Sequence, residues 1–91
     1  MTEFEKLCEI VAKLRAPDGC PWDREQTNAS LVPPLLEEAY EVAGAVYAKD
    51  DINLREELGD LLLLIVMHAQ IAVEEKRFDI DEIARRSFVQ C

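Results

Sequence analysis

The sequence contains few of the residues that break helices or cross-link small domains. Its 91 residues include only three glycines, four prolines and three cysteines. Because Cys8, Cys20 and Cys91 are odd in number and lack metal-ligand spacing, they favour reduced thiols in a cytoplasmic protein over a disulfide framework or a zinc site. No stretch alternates polar and apolar residues as a half-buried strand does, so the sequence favours an all-α fold.

Long apolar runs and positive charge are also scarce. The longest apolar run covers residues 61–67, far short of the roughly 20 residues that span a membrane. Glu3, Glu5 and Lys6 interrupt any apolar stretch typical of a signal peptide. Ten basic side chains are outnumbered by nineteen acidic ones, for a formal net charge of −9. We therefore expect neither a membrane nor nucleic-acid phosphate as a direct partner, and we expect affinity for cations.

Apolar residues at helical spacing predict a single domain over residues 1–91 with four main helices. Thr2 forms a capping box with Glu5 at the first helix, and Ser30, Asn53 and Asp79 are expected to begin the other three. A short helical turn is expected between Arg24 and Asn28. The four helices are expected at residues 3–15, about 30–48, about 53–76, and from 79 toward the C-terminus.

Two acidic pairs interrupt the apolar stripes of the second and third helices. Glu38 and Glu41 form one pair, and Glu57 and Asp60 form the other. A spacing of three places each pair on one helix face, which the neighbouring leucines share. A single pair of this kind is usually a solvated surface, but two on successive helices would bring four repelling carboxylates toward the core. A hard divalent cation with oxygen ligands is the simplest partner for them.

The third helix is apolar around its whole circumference over residues 61–67. Such a helix is buried on all sides, and three other short helices cannot surround it. We therefore expect an oligomer, with this helix at the subunit contact. Leu63, Val66 and Val73 are the residues expected to be exposed on the face away from the carboxylates.

Three segments resemble the MazG family of nucleoside triphosphate pyrophosphohydrolases. They are Gly-Cys-Pro-Trp-Asp-Arg-Glu-Gln-Thr at residues 19–27, Leu-Glu-Glu-Ala-Tyr-Glu at 36–41, and Arg-Glu-Glu-Leu-Gly-Asp-Leu-Leu at 55–62. The resemblance implies an all-α bundle of four helices that is completed by oligomerisation, as a homodimer or homotetramer. It also implies hydrolysis of NTPs or dNTPs to the monophosphate and pyrophosphate with Mg²⁺, for which Mn²⁺ can substitute.

The resemblance also implies residue roles. The family's metal ligands fall on Glu38, Glu41, Glu57 and Asp60, which with the accessory Glu37 make up the expected catalytic set. Relatives often carry histidine where this chain has Asn28. The expected substrate-binding residues are Trp22, Arg24, Lys13, Arg15 and Arg86.

Several of these residues could instead have a purely structural role. Trp22 either stacks on a base or anchors the packing of its loop. Lys13, Arg15 and Arg24 either meet phosphates or are solvated cations. His68 lies on the acidic stripe of the third helix, and we expect it to be a hydrogen-bonded core residue and not a ligand.

Two other functions compete with hydrolysis. A catalytically weak MazG-like bundle could bind nucleotides or a protein partner, and the sequence end at Cys91, soon after Arg85 and Arg86, supports that alternative because relatives usually continue with more basic residues. A di-iron carboxylate bundle needs Glu-x-x-His pairs. The chain has one histidine, His68, preceded at the required position by Ile65, so this second alternative is disfavoured.

Overall fold

The computed structural model of the protein describes residues 1–89, and every regular element in that range is an α-helix. The expected all-α fold is confirmed. The four long helices lie close to their expected positions, and the short additional helix begins three residues earlier than expected. The helices are α1 (Glu3–Leu14), α2 (Pro21–Glu25), α3 (Val32–Tyr47), α4 (Asp51–Glu74) and α5 (Ile80–Val89).

Side-chain caps explain where α1 and α5 begin. The Thr2 hydroxyl accepts from the Glu5 backbone N–H at 3.1 Å, and the Glu5 carboxylate accepts from the Thr2 N–H at 2.9 Å. This is the expected capping box, which satisfies two otherwise unpaired backbone donors. At α5, Asp79 Oδ1 accepts from the Glu82 N–H at 2.9 Å, as its sequence position predicts.

Two expected caps are wrong. Asp50, and not Asn53, caps α4, because Asp50 has extended backbone angles and its Oδ1 accepts from the Asn53 N–H at 3.1 Å. Leu31 occupies the cap position of α3 without a side-chain hydrogen bond. The Ser30 hydroxyl instead accepts from the Thr27 N–H at 2.8 Å. It therefore stabilises the turn before α3 and not the helix end.

A tight turn after α1 requires glycine at position 19. The Gly19 N–H donates to Ala16 O at 2.8 Å, and the Cys20 N–H donates to Leu14 O at 2.9 Å. A Cβ atom on Gly19 would lie 2.3 Å from Leu14 O and 2.4 Å from Lys13 O. The chain thus folds back closely over the end of α1 before it enters α2.

The long helix α4 is the centre of the molecule, and it packs against α1, α3 and α5. Val11 of α1 and Leu31, just before α3, are almost fully buried against it. Within the described residues, no helix is long and apolar enough to cross a membrane. Cys8 and Cys20 are free thiols, whereas Cys91 lies outside the described residues. The core residues that α4 contributes are Leu64, Val66, Met67, Ala69, Ile71 and Ala72.

The expected exposure of Val66 is wrong. Its side chain is only 3% exposed, because it packs into the core of its own chain. Leu63 and Val73 are exposed as expected. The remaining exposed large apolar residues of α4 lie in its first half, at Ile52, Leu58 and Leu62. The neighbours α1 and α5 therefore cover more of the back of α4 than the sequence suggested, but they leave its N-terminal half partly uncovered.

Candidate active site

A helical hairpin formed by α3 and α4 positions the acidic residues. The two helices share the most extensive contact in the described fold, and residues 48–50 join them. Lys49 adopts a left-handed conformation with φ of 56°, which reverses the chain direction in this short link. The hairpin thereby brings the acidic turn of α3 beside that of α4.

Three of the four expected metal ligands converge. Oxygen atoms of Glu38, Glu41 and Glu57 lie within 4.8 Å of one another. Asp60, one turn after Glu57, is exposed and is not among these three. Its negative charge nevertheless acts on Glu41 and Glu57. Glu37 is exposed on α3, beside Glu38 in the sequence.

Two buried carboxylate oxygens in this cluster have no partner. Within residues 1–89, neither Glu38 Oε2 nor Glu57 Oε2 has a hydrogen-bond donor, and both atoms are inaccessible to solvent. Leaving a charged oxygen buried and unsatisfied is costly. These oxygens are therefore candidate ligands for a cation held between α3 and α4.

The expectation that all four carboxylates point into the core is wrong. Glu38 and Glu57 are half-buried, while Glu41 and Asp60 are exposed. Taken as whole residues, none of the charged or polar residues within the described part of the chain is buried. The physical reason is that α3 packs mainly against α4, so their seam lies at the molecular surface and stays open on one side.

Crowding raises the pKa values of two of these acids. Protonation allows a hydrogen bond between Glu41 and Glu57, and this bond, followed by the charge of Glu57, raises the pKa of Glu41. For Glu57, the hydrogen bond with Glu41 lowers the pKa. A hydrogen bond with Glu38, burial and the charges of Glu38 and Asp60 outweigh it, so the pKa of Glu57 is also raised. The carboxylates repel one another and favour a bound positive charge.

Arg15, an expected phosphate contact, is engaged elsewhere. Its Nε and Nη2 donate to the two carboxylate oxygens of Glu74, each at 2.9 Å. Its Nη1 donates to the backbone oxygens of Asp23 and Gln26, and the side chain is only 6% exposed. This arrangement ties the segment around α2 to the end of α4. The Arg15 guanidinium is therefore not available to a phosphate in this conformation.

Two further expected contacts have partners on the protein. Lys13 forms an exposed ion pair with Glu9 at 3.1 Å, which contributes little to stability. Arg24 Nη1 donates to Pro17 O at 2.7 Å across the turn that follows α1. Neither contact buries its cation, so both side chains can exchange these partners for a phosphate.

Trp22 and Arg24 lie far from the carboxylates of the same chain. Their helix, α2, is held beside Glu74, and Glu57 lies 17 residues earlier on α4, which corresponds to about 25 Å along the helix. Trp22 is 60% exposed, so it is not a buried packing anchor in this chain. Arg86 lies on α5. Of the sequence-predicted substrate contacts, Trp22, Arg24 and Arg15 thus lie away from the carboxylates of their own subunit.

Sequence reasoning missed a polar cluster at the other end of the hairpin. The Asn28 amide nitrogen donates to His68 Nδ1 at 2.7 Å, and Arg77 Nη2 donates to Asn28 Oδ1. Burial lowers the pKa of His68, which favours its neutral form. His68 is therefore hydrogen-bonded, as expected, but it is only half-buried and lies outside the hydrophobic core cluster. Arg77 carried no signal in the sequence, since its partner is 49 residues away.

A comparison with known protein families finds a match that includes this helical hairpin. A sequence model of the MazG nucleotide pyrophosphohydrolase domain matches residues 26–89, which include α3, α4 and α5. The chain belongs to the MazG family. The MazG match contains all three converging carboxylates, and the resemblance noted in the sequence is thereby confirmed.

Several curated relatives are similar to nearly the whole of this MazG domain. The nucleoside triphosphate pyrophosphohydrolase/pyrophosphatase MazG of Thermotoga maritima is 52% identical over 82 residues, which cover 90% of this chain and 32% of that protein. The nucleoside triphosphate pyrophosphohydrolase of Escherichia coli K12 is 50% identical over 84 residues, which cover 91% of this chain and 32% of that protein. The nucleoside triphosphate pyrophosphohydrolase of Mycobacterium tuberculosis is 47% identical over 85 residues, which cover 88% of this chain and 26% of that protein. The chain thus spans about a third or less of the length of these relatives.

Proposed function

We propose that this domain hydrolyses nucleoside triphosphates, ribo- or deoxyribo-, to the monophosphate and pyrophosphate with Mg²⁺. The observation that carries the proposal is the convergence of Glu38, Glu41 and Glu57 oxygens within 4.8 Å. Membership of the MazG family and the names of the relatives support it. A cytoplasmic setting fits the free thiols of Cys8 and Cys20.

The residues fit a hard divalent cation. Carboxylate oxygens are the ligands that Mg²⁺ prefers, and Glu38 Oε2 and Glu57 Oε2 are buried without a donor. Glu38, Glu41 and Glu57 would hold the ion, and Asp60 would complete the set from the next turn of α4. When bound, Mg²⁺ neutralises phosphate oxygens and lowers the pKa of coordinated water; Mn²⁺ would substitute, because it has similar ligand preferences.

In the proposed reaction, protein side chains orient the attacking water and accept its proton. A water oxygen attacks the α-phosphorus, the bond from this phosphorus to the bridging oxygen breaks, and pyrophosphate leaves. In this proposal, Glu37, which precedes Glu38 on α3, or one of the converging carboxylates orients this water and accepts its proton. The acids themselves oppose the approach of an unaccompanied triphosphate, so binding of nucleotide and cation is coupled.

A second copy of the chain completes the site in this proposal. Leu36 and Tyr40 on α3, and Leu58 and Leu62 on α4, are exposed apolar residues spaced four apart on the helices that carry the acids. Covering this surface in a homodimer or homotetramer would exclude water from the seam. It would also allow a partner subunit to supply the predicted substrate contacts, which are Trp22, Arg24, Lys13 and Arg86.

The reaction products test this function. Incubation with a panel of NTPs and dNTPs in Mg²⁺ should yield monophosphate and pyrophosphate in equal amounts for at least one substrate. Hydrolysis in ¹⁸O-labelled water should place the isotope in the monophosphate, as attack at the α-phosphorus requires. Label in released inorganic phosphate would show attack at another phosphorus. Nucleotide binding without turnover across the panel would favour the catalytically weak, nucleotide-binding alternative.

A further inference from the structure

The connection between α1 and α3 is attached to the rest of the fold without a buried apolar residue of its own. It runs between Val11 and Leu31, the largest fully buried side chains of the described fold. None of residues 21–30 is buried. Within residues 1–89 the extensive helix contacts are α3–α4, α1–α4 and α4–α5, and α2 takes part in none of them. Apolar burial therefore does not fix α2 in place.

Polar contacts hold this segment to α4 at two places. The first, which we call the Arg15 clamp, joins the backbone oxygens of Asp23 and Gln26 to Glu74 through the Arg15 guanidinium. Arg15 itself lies just after α1, so this clamp gathers the end of α1, the segment around α2 and the end of α4. Its arginine side chain is only 6% exposed, which strengthens the charged hydrogen bonds that it makes.

The second contact, which we call the Asn28 clamp, holds the other end of the segment. The Asn28 amide nitrogen lies 2.7 Å from His68 Nδ1, and Arg77 donates to Asn28 Oδ1. Glu74 is the last residue of α4, and Arg77 follows it by three residues. Both clamps are therefore anchored where α4 ends, and both are polar.

A segment with few buried apolar contacts opens at a lower free energy than the core of the same protein. Here the fixed ends are the turn at Gly19, which is hydrogen-bonded back to Ala16, and the buried Leu31. The helix α2 has only five residues, and an isolated helix of that length is not stable in water. Release of the clamps would therefore unfold α2 and leave the helices on either side in place.

We propose that residues 21–30 form a strap that opens and closes as one unit while α1, α3, α4 and α5 stay folded. The Arg15 clamp and the Asn28 clamp break together when the strap opens. The strap carries Trp22 and Arg24, so its opening displaces two of the expected substrate contacts. This motion is a property of the fold and does not depend on whether the domain hydrolyses nucleotides.

Amide hydrogen exchange of the native protein, followed by NMR in increasing low concentrations of urea, tests the strap. The Arg24 N–H is bonded to Cys20 O and the Gln26 N–H to Asp23 O, so both amides report opening of the strap. Met67 and Ile71 on α4 report unfolding of the core. In the wild type the opening constant at the two strap amides should be at least about a hundredfold larger than at the two core amides. It should also depend less on urea, because opening the strap exposes little surface.

Substitutions at the two clamps test whether the strap moves as one unit. Glu74→Gln should raise the opening constant at Arg24 and Gln26 about tenfold, since it weakens a charged hydrogen bond. Arg77→Gln should raise it at the same two amides by about threefold or more, although Arg77 contacts only the far end of the strap. Glu3→Gln, which breaks the exposed ion pair with Lys6, is the control and should change neither amide.

Two results would overturn the strap. Strap and core amides with equal opening constants and equal urea dependence in the wild type would mean that the segment opens only when the whole domain unfolds. A response of Arg24 and Gln26 to Glu74→Gln but not to Arg77→Gln would mean that α2 moves without the Asn28 end. The urea series needs no substitution, so it decides the first point even if a variant fails to fold.

Discussion

Arg15 and Glu74 form a two-pronged ion pair that joins the ends of α1 and α4. The two hydrogen bonds are each 2.9 Å long, and the arginine side chain is almost fully buried. The same guanidinium also donates to two backbone oxygens of the segment around α2. The pair therefore supports the chain that carries Trp22, although the sequence indicated a phosphate contact.

We predict that Arg15→Ala destabilises the fold by about 2–4 kcal/mol, since it leaves a carboxylate and two backbone acceptors without their shared donor. The measurement is urea denaturation followed by circular dichroism. Lys13→Ala is the control, because its ion pair with Glu9 is exposed and should contribute at most about 0.5 kcal/mol. Similar losses in both variants would show that the Arg15 contacts are weak in solution.

The stabilisation from this ion pair should depend on pH in the acid range. The hydrogen bond from Arg15 lowers the pKa of Glu74 below its ordinary value of 4.5. A lowered folded-state pKa means that the stabilisation is complete above the ordinary value and is lost as the pH falls through the lowered one. The stability difference between wild type and Glu74→Gln should therefore be constant near neutral pH and shrink below about pH 4.5. A difference that grows on acidification would contradict this sign.

Magnesium should stabilise the domain through the converging carboxylates. At a concentration 100 times its Kd, the ion would contribute about 2.7 kcal/mol, visible as a rise in Tm beyond that in matched NaCl. Glu57→Gln should abolish most of this rise and the turnover, while the metal-free variant stays at least as stable because one repelling charge is removed. Glu56→Gln, an exposed neighbour, is the matched control and should keep the response. An unaltered Tm rise in Glu57→Gln would reject the metal site.

Substitution of Leu62 tests the proposed subunit contact more directly than substitution of Val66. Leu62 is 38% exposed on α4, whereas Val66 is part of the core, so a charge at position 66 would unfold the monomer. Leu62→Glu should lower the mass measured by light scattering at micromolar concentration and reduce activity at least tenfold. Ile10→Glu on α1 should change neither quantity. A wild-type protein that is monomeric at this concentration would rule out the contact.

Two glycines should respond to alanine in opposite directions. At Gly44, on α3, an added Cβ meets no atom within 4 Å, so Gly44→Ala should stabilise the helix by about 0.5–1 kcal/mol. At Gly19 the added Cβ would overlap the backbone oxygens of Leu14 and Lys13, and the substitution should cost about 1–3 kcal/mol. The difference in Tm between the two variants is the measurement, and equal Tm values would contradict it.

Local signals predicted much of this fold. The capping box of Thr2 and Glu5 and the cap at Asp79 depend on residues three apart, and both are present. The choice of Asp50 over Asn53 at α4 could not be made from the sequence, because both residue types are good caps. The outcome depends on which residue the turn after α3 leaves in an extended conformation.

The acidic cluster was predicted in part. The spacing of three placed Glu38 with Glu41 and Glu57 with Asp60, because side chains one turn apart share a helix face. That Glu57 meets Glu38 and Glu41 follows from the antiparallel hairpin. The burial of these carboxylates depends on which elements cover α3. The packing of the whole molecule decides this, and the sequence of the helix alone does not.

The sequence by itself determined the helices, the carboxylate spacing and the family, because each depends on residues close together in the chain. Only the tertiary structure decided the partners of Arg15 and His68, which lie 59 and 40 residues away. It also decided that Val66 faces the core. Contacts over such separations form only when helices pack in one particular orientation, and helix periodicity identifies an apolar face without identifying the element that covers it.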